Sequence, residues 1–327
     1  IDFYRHASAQ GHDDATKKLA KLDPSILKEK VPEPKKTQTE KAKVVPRIKT
    51  EPEIATTVPK QRFPTSYVQV KHFKGTPNAD DVAIIIGNAN YKKLGKDIPN
   101  VTPAYADAEG MKNYVTQALG IAEDNIIYLK DATQKDLVAT FGNETNHKGR
   151  LYRYLAGGKS KVFVFYSGHG APGDQSTNYL VPSDAEASLI DLNGYSLKTL
   201  YQNLSKLPAK SVTVVLEACF SGASEAGTVI TNASPVYLKA KDTGIPSNIT
   251  VIAAGAANQI ASWETDKSHG LFTKYFLKGM SGDADNNNDR KVSWDELKDY
   301  FARTVPRSAM RNYGREQTPQ IVVGTGG

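Results

Sequence analysis

The sequence KVFVFYSGHG, residues 161–170, is a run of apolar, β-branched and aromatic side chains that stops at Ser-Gly-His-Gly. A near-continuous apolar run of this length is typical of a strand buried on both faces of a parallel sheet. Five further runs share the pattern: DVAIIIG (81–87), NIIYLKD (125–131), SVTVVLE (211–217), ITVIAAG (249–255) and PQIVVG (319–324). The sequence therefore predicts an α/β domain with a mostly parallel sheet of about six strands.

The segments between these runs carry helical patterns. Thr102-Pro103 is a helix start signal, and the pattern continues from Ala104 to Leu119. Four more helices are predicted, at residues 135–141, 148–155, 197–204 and 269–280. In sheets of this kind the functional groups gather beyond the carboxyl ends of the strands. Catalytic or binding residues are therefore expected just after the apolar run that ends at Ser167.

Composition excludes several classes of protein. The 327 residues carry a formal net charge of +7, and lysines crowd the segment from Lys28 to Lys60 among glutamates. No arginine-rich helix or RNA-binding aromatic signature accompanies them, so no nucleic-acid partner is expected. The single cysteine, Cys219, excludes an intramolecular disulfide and a multi-cysteine zinc site. No apolar run predicts a membrane span, and the sequence favours neither the cytoplasm nor the periplasm.

The first part of the chain differs from the rest. Residues 1–23 predict two short helices and resemble the end of a SEL-type helical repeat, which implies an upstream repeat array that would bind partner proteins. Residues 24–66 are rich in lysine and proline and poor in aromatics, so they are expected to form an extended linker or a propeptide. The folded domain is expected to span residues 67–327.

A histidine and the only cysteine follow two consecutive predicted strands. His169 lies between two glycines after the run that ends at Ser167, and Cys219 follows the run that ends at Glu217. If these strands are neighbours, both side chains emerge at one edge of the sheet. A thiol needs a nearby base to become a thiolate near neutral pH. Either residue alone is more often a buried structural side chain, but the two together favour a catalytic dyad.

The motifs around this pair resemble a known family. FYSGHG (165–170) followed by LEACFSG (216–222) is similar to the caspase, metacaspase and paracaspase group of cysteine peptidases, with bacterial orthocaspase character. Further segments resemble landmarks of the family in the same order: VAIIIGNANY (82–91), VTPAYADAEGM (101–111), HGLFTKYFLKGM (269–280) and REQTPQ (315–320). The resemblance covers about residues 80–324.

This resemblance implies a caspase-hemoglobinase-like α/β/α sandwich and assigns roles to the dyad. His169 would be the general base and acid, and Cys219 would be the nucleophile. The amides of Gly170 and Cys219 would form an oxyanion hole, in keeping with the freedom of glycine to approach a substrate closely.

Two acidic residues predict a pocket for a basic side chain. Glu217 lies two residues before Cys219 and would oppose thiolate formation unless a basic substrate side chain pairs with it. In metacaspases an aspartate at this place selects Arg or Lys, and glutamate is longer by one methylene. Asp107 matches a second acidic pocket residue of metacaspases, although an acid in the first turn of a helix also suits the helix dipole.

The segment ASWETDKSHG, residues 261–270, resembles the loop that flanks the substrate in this family. Ser262 and Trp263 are therefore predicted to contact substrate, with Trp263 as a wall of the groove. A partly buried surface aromatic is the alternative for Trp263.

The segment DNNNDRKVSWDE, residues 285–296, has the spacing of a calcium-binding EF-hand loop. Arg290 stands where such loops need a glycine for a sharp turn, and a loop-to-helix cap explains the acidic residues equally well. No cofactor is expected to be required, and calcium is kept open as a ligand. Its oxygen donors would be Asp285, Asn287, Asp289, the Lys291 carbonyl, Ser293 and Glu296.

Basic specificity would also let the chain cut itself. Lys239 and Lys241 lie in the loop after Cys219, and Lys49 and Lys60 lie in the linker. These four lysines are the candidate self-cleavage sites, and the linker could instead lie across the site as an inhibitory propeptide.

The sequence thus predicts a cysteine endopeptidase that cleaves proteins or peptides after Arg or Lys. The alternative is a catalytically silent or regulatory scaffold on the same fold, whose upstream repeats mediate protein interaction. Dinucleotide binding, another use of such sheets, is rejected because no G-x-G-x-x-G follows the first strand.

Overall fold

The structure is a computed structural model, and it describes residues 62–95, 97–173, 177–225, 227–228, 245–256 and 258–324. The predicted repeat end and the linker up to residue 61 lie outside the described residues. Phe63 is half-buried and packs against Tyr105 with 5.3 Å between ring centroids. Packing of the domain therefore begins before the predicted boundary at residue 67.

The six predicted strands form one sheet. Their bounds are β1 Val82–Gly87, β2 Ile126–Lys130, β3 Lys161–Ser167, β4 Ser211–Glu217, β5 Ile249–Ala253 and β6 Gln320–Val323. Their order across the sheet is β6-β5-β4-β3-β1-β2, and only β6 runs antiparallel to its neighbour. The predicted α/β class with a mostly parallel sheet is confirmed.

Seven α-helices occur within the described residues. They are α1 Ala104–Gln117, α2 Gln134–Phe141, α3 Arg150–Tyr154, α4 Ile190–Asn193, α5 Leu197–Ser205, α6 Leu271–Lys278 and α7 Trp294–Tyr313. The sequence did not predict the short helix α4. It did not predict α7 either, although Ser293 and Glu296 form a capping box at the start of α7. Pro306 inside this helix obscures its pattern. None of the described helices is both long and apolar enough to cross a membrane.

Helices cover both faces of the sheet, because alternate side chains of each buried strand point in opposite directions. One face packs against α2, α3 and α5, and its core includes Ile84, Val164, Leu137, Leu151 and Leu200. The other face packs against α1, α6 and α7, and its core includes Ile85, Phe165, Met111, Phe272 and Phe301. The result is the expected α/β/α sandwich.

Two small antiparallel ribbons follow the central strands. The chain leaving β3 enters a three-stranded ribbon, Gly170–Pro172, Asn178–Leu180 and Tyr195–Ser196. The chain leaving β4 forms a two-stranded ribbon, Ala223–Ser224 with Gly227–Thr228. Strands of two or three residues are too short to show alternation, so the sequence did not predict them.

Candidate active site

β3 and β4 are parallel, hydrogen-bonded neighbours, and Ser167 pairs with Glu217 at their carboxyl ends. The contact continues beyond the strands, because the Gly168 amide donates to the Glu217 carbonyl at 3.2 Å. His169 and Cys219 each lie two residues past the Ser167–Glu217 pair. The strand adjacency assumed from the sequence is confirmed, and it brings both members of the predicted dyad to one edge of the sheet.

Gly170 has a steric reason to be glycine. A Cβ atom at this position would lie 2.5 Å from the carbonyl oxygen of Cys219 and 2.6 Å from the Phe220 ring. Backbone cannot move aside as a flexible side chain can, so a larger residue would push the two loops apart. The amides predicted to form the oxyanion hole thus belong to segments in direct contact.

The His169 ring is oriented by a backbone carbonyl. Its Nε2 lies 2.7 Å from the carbonyl oxygen of Pro99, and a carbonyl can only accept. The proton of the neutral ring therefore sits on Nε2, and Nδ1 carries the lone pair of a base. Burial lowers the pKa of His169 to about 4, although the hydrogen bond to Pro99 opposes this shift.

Two buried phenols hold the backbone of His169. Its amide donates to the Tyr91 hydroxyl at 2.9 Å, and the Tyr166 hydroxyl donates to its carbonyl at 2.8 Å. Burial raises the pKa of both tyrosines, so they stay protonated. A Cβ atom at Gly168 would lie 2.7 Å from the Tyr166 hydroxyl and 2.8 Å from that of Tyr91. The first glycine of the motif makes room for these hydroxyls.

The Cys219 thiol is buried beside the segment that follows β5. Its Sγ accepts a hydrogen bond from the Ala261 amide at 2.8 Å. Burial raises the pKa of Cys219 to about 12, the Ala261 hydrogen bond opposes this shift, and the charge of Glu217 adds to it. Because burial also lowers the pKa of His169, both partners favour their neutral forms at rest.

Asp107, on the first turn of α1, is fully buried. Its Oδ2 accepts from the Ser167 hydroxyl at 2.9 Å, and its Oδ1 accepts from the Gly270 amide at 3.0 Å. The same Oδ1 lies 3.2 Å from His269 Nδ1. Asp107 lies near Glu217, since its charge acts on that carboxyl, but the chain itself already hydrogen-bonds both oxygens of Asp107.

Glu217 differs from Asp107 in having an unsatisfied oxygen. Its Oε2 accepts from the Thr273 amide at 2.7 Å and from the Thr273 hydroxyl at 2.8 Å. Its Oε1 is the one buried carboxylate oxygen without a hydrogen-bond partner among the described residues. Burial, with a further contribution from the charge of Asp107, raises the pKa of Glu217 to about 8. A buried, unpaired acceptor of this kind is costly and indicates a ligand.

Ser262 and Trp263 belong to a segment that is fixed from both sides. The Ser262 amide donates to Gln317 Oε1 at 2.8 Å, and its hydroxyl accepts from Arg315 Nε at 3.1 Å. The Trp263 carbonyl accepts from the Tyr313 hydroxyl at 2.8 Å, and its side chain is only 6 % exposed. Trp263 is therefore buried more deeply than either prediction for it assumed.

The predicted calcium loop uses its carboxylates internally. Asp285 Oδ2 accepts from the Arg290 amide at 2.9 Å, and Glu296 Oε2 accepts from the Ser293 amide at 3.0 Å in the capping box of α7. Arg290 adopts a φ of 65°, so the turn expected to need glycine forms without it. No group of three or more His, Cys, Asp or Glu among the described residues is arranged to hold a metal. Calcium binding stays a prediction.

Sequence reasoning missed residues that act on the dyad and the pocket through long-range contacts. Tyr166 and His269 stand inside motifs that the sequence already singled out, so their positions were signalled but their roles were not. Tyr91 ends the first-strand motif, and Pro99 acts through its carbonyl, which no side-chain pattern reveals. The four candidate self-cleavage sites lie outside the described residues: Lys49, Lys60, Lys239 and Lys241.

Comparison with known families identifies the family of this chain. A family model described as the Caspase domain matches residues 80–325, which is well over half of the chain. The chain belongs to the caspase-domain family. This family consists of hydrolytic cysteine peptidases, so a caspase domain implies protein substrates. No curated protein matches the chain. The resemblance inferred from the motifs is confirmed over almost the same range.

Proposed function

We propose that this caspase domain is a cysteine endopeptidase that cleaves peptide bonds after Arg or Lys, with His169 and Cys219 as its dyad. The observation that carries the specificity is the buried, unpartnered Oε1 of Glu217, two residues before the nucleophile. The dyad is supported by the pairing of Ser167 with Glu217, because His169 and Cys219 each follow two residues after these paired ends of neighbouring strands.

Attack on the substrate carbonyl begins from the neutral pair. As the bond between Cys219 Sγ and the carbonyl carbon forms, the thiol proton passes to His169 Nδ1. The Nε2–H of the resulting imidazolium already donates to the Pro99 carbonyl, which stabilises its charge. The amides of Gly170 and Cys219 would receive the developing oxyanion.

Collapse of the tetrahedral intermediate breaks the carbon–nitrogen bond. The imidazolium returns its proton to the departing amine, which leaves an acyl-enzyme on Cys219. Water then attacks the thioester, giving a proton to His169, and the thiol is restored as the new carboxylic acid is released. No external oxidant or reductant enters this cycle.

The pocket supplies one direct partner for the substrate cation. Glu217 Oε1 would accept from a guanidinium or ammonium group, and the charge of Asp107 lies close enough to raise the pKa of Glu217. A bound cation reverses that effect and favours the Glu217 carboxylate. Asp107 is a supporting residue in this proposal, because Ser167 and Gly270 occupy its oxygens. Self-cleavage after the four candidate lysines is part of the same proposal.

A panel of fluorogenic peptides tests the proposal. Peptides that end in Arg, Lys, Asp or Leu before the reporter group are incubated with wild type and with the Cys219→Ala variant. We expect turnover of the Arg and Lys peptides by wild type only, because the reaction needs both the thiol and a cation for Glu217. Parallel tubes with calcium or a chelator test the metal prediction.

Preference for the Asp peptide would contradict the assignment of the pocket. Equal turnover by Cys219→Ala would point to a contaminating protease. Absence of turnover of every peptide would favour the alternative function, a catalytically silent or regulatory scaffold.

The hydrogen bond from the His169 amide to the Tyr91 hydroxyl gives a prediction about the alignment of the His169 ring. Tyr91→Phe leaves the buried amide of His169 without its acceptor, so the ring loses part of its alignment. We expect kcat to fall about tenfold with little change in KM, because alignment matters most when the reacting atoms meet. Steady-state kinetics with the Arg peptide checks this result.

Tyr195→Phe is the matched control for this variant. It removes another buried hydroxyl, which donates to the Gly142 carbonyl at 2.8 Å and has no described contact with His169 or Cys219. Tyr91→Phe should lose more stability in thermal unfolding than Tyr195→Phe, because the Tyr91 hydroxyl also bonds Tyr166 and the Val181 carbonyl. An equal fall in kcat for both would show that the Tyr91 hydroxyl supports only the fold.

A further inference from the structure

An arginine beside the nucleophile has its side chain fixed by the candidate substrate-lining segment. Arg315 Nε donates to the Ser262 hydroxyl at 3.1 Å, and its guanidinium lies 4.8 Å from the centre of the Tyr313 ring. Tyr313 is itself held, since its hydroxyl donates to the Trp263 carbonyl at 2.8 Å. A guanidinium oriented in advance in this way loses little freedom when it binds a carboxylate.

The remaining edge of this guanidinium already holds a carboxylate. Arg315 Nη2 donates to Glu225 Oε2, and the two side chains are 28 % and 21 % exposed. Glu225 comes from the short ribbon that follows Cys219, at the turn between Ala223–Ser224 and Gly227–Thr228. Both charges act on the thiol, because Arg315 lowers the pKa of Cys219 and Glu225 raises it. The ion pair lies near this sulfur, because Arg315 bonds Ser262 and the amide of the preceding residue, Ala261, donates to Cys219 Sγ at 2.8 Å.

We propose that Arg315 is a carboxylate-binding subsite that takes an acidic side chain of the substrate, and that Glu225 occupies this subsite when no substrate is bound. The inference rests on the proposed function and adds to it an acidic residue near the basic one. A partly exposed ion pair is weak enough to exchange partners with a carboxylate brought in by the peptide. Ser262 and Tyr313 keep the guanidinium in place during that exchange.

The test uses internally quenched peptides that contain one Arg and differ only by Glu or Gln at one nearby position. The position is moved through the four residues on either side of the scissile bond, except the one that holds the Arg. We expect wild type to prefer Glu over Gln about 5- to 10-fold in kcat/KM at one position. Arg315→Gln should abolish this ratio, and Glu225→Gln should raise it severalfold because the internal competitor is gone.

Arg315 also acts on the thiol, but that effect changes the cleavage of both peptides equally. It therefore cancels in the ratio of kcat/KM for the Glu peptide to kcat/KM for the Gln peptide. Arg311→Gln is the matched control, since Arg311 is an exposed arginine in the last turn of α7, four residues before Arg315, and the ratio for this variant should equal that of wild type. Cleavage after Arg with no Glu preference at any position, or a preference that survives in Arg315→Gln, overturns this inference alone. Absence of cleavage of every peptide overturns the proposed function and this inference with it.

Discussion

Replacing His169 with alanine is expected to lower kcat on the Arg peptide by about 10³-fold, within the range that general acid–base catalysis contributes. The reason lies in the two shifted pKa values. Burial raises the pKa of Cys219 to about 12 and lowers that of His169 to about 4. Only a minute fraction of the thiol is ionised at neutral pH without a base, so the nucleophile depends on proton transfer to the imidazole during attack.

The pH dependence of the remaining activity separates this role from a structural one. In His169→Ala the reaction relies on thiol that has ionised unaided, so kcat should rise about tenfold per pH unit below the thiol pKa. In wild type the imidazole is already a free base above about pH 4, so its ionisation should leave kcat flat from mildly acidic to neutral pH. Values of kcat measured at intervals of about one pH unit, from about pH 6 to about pH 9, give the pH dependence of both enzymes.

His147→Ala is the control, because His147 stacks edge-on against Tyr152 on the loop before α3 and contacts neither member of the dyad in the described structure. It should retain the wild-type kcat and the wild-type pH profile. A His169→Ala variant with wild-type kcat, or with a flat profile, would contradict the assigned base.

Most of the fold was predictable because the sheet has a strong sequence signal. Strands buried on both faces must be apolar throughout, and β1, β3 and β4 show this in single short runs. The pairing of β3 with β4 was assumed from the sequence, since consecutive strands of such sheets are commonly neighbours. The prediction that His169 and Cys219 share an edge followed from those two facts.

Contacts between distant parts of the chain were not predictable from pattern. The Pro99 carbonyl reaches His169 across 70 residues, and Asp107 Oδ1 lies beside His269 Nδ1 across 162 residues. Both contacts depend on where loops turn after the strands, which periodicity does not encode. The Pro99 contact decides which nitrogen of His169 is basic. The contacts of Asp107 leave Glu217 as the carboxylate with an unpaired oxygen.

The acidic loop before α7 shows a second limit. Oxygen atoms spaced to surround a cation are also spaced to accept hydrogen bonds from their own backbone, as Asp285 and Glu296 do. The sequence pattern is the same for both outcomes, so it left calcium binding and helix capping equally weighted. The capping box explains the start of α7, a helix that the pattern of apolar residues alone did not reveal.

Replacing Glu217 with glutamine is expected to lower kcat/KM for the Arg peptide by about 10²-fold, because a buried cation would lose its charged partner. Turnover of a peptide ending in Leu should change far less, so the ratio between the two peptides is the measurement. Glu109→Gln is the matched control, since this α1 carboxylate bonds Tyr128 and Lys130 on the outer surface and should leave the ratio unchanged.

Glu217→Gln should also remove two pH dependences of the wild type, a rise of kcat/KM with pH and a fall of stability with pH. The pKa of Glu217 is about 8 in the folded chain, so wild-type kcat/KM for the Arg peptide should rise with pH up to about 8, and Glu217→Gln should lack that rise. In the absence of substrate the folded state holds this proton more tightly than the unfolded chain does. Stability should therefore fall as pH rises from about 4.5 to about 8 in wild type but not in Glu217→Gln. Loss of Arg preference without this difference in melting temperature would mean that Glu217 binds the substrate from an ordinary solvated environment, and the orphaned Oε1 would no longer explain the specificity.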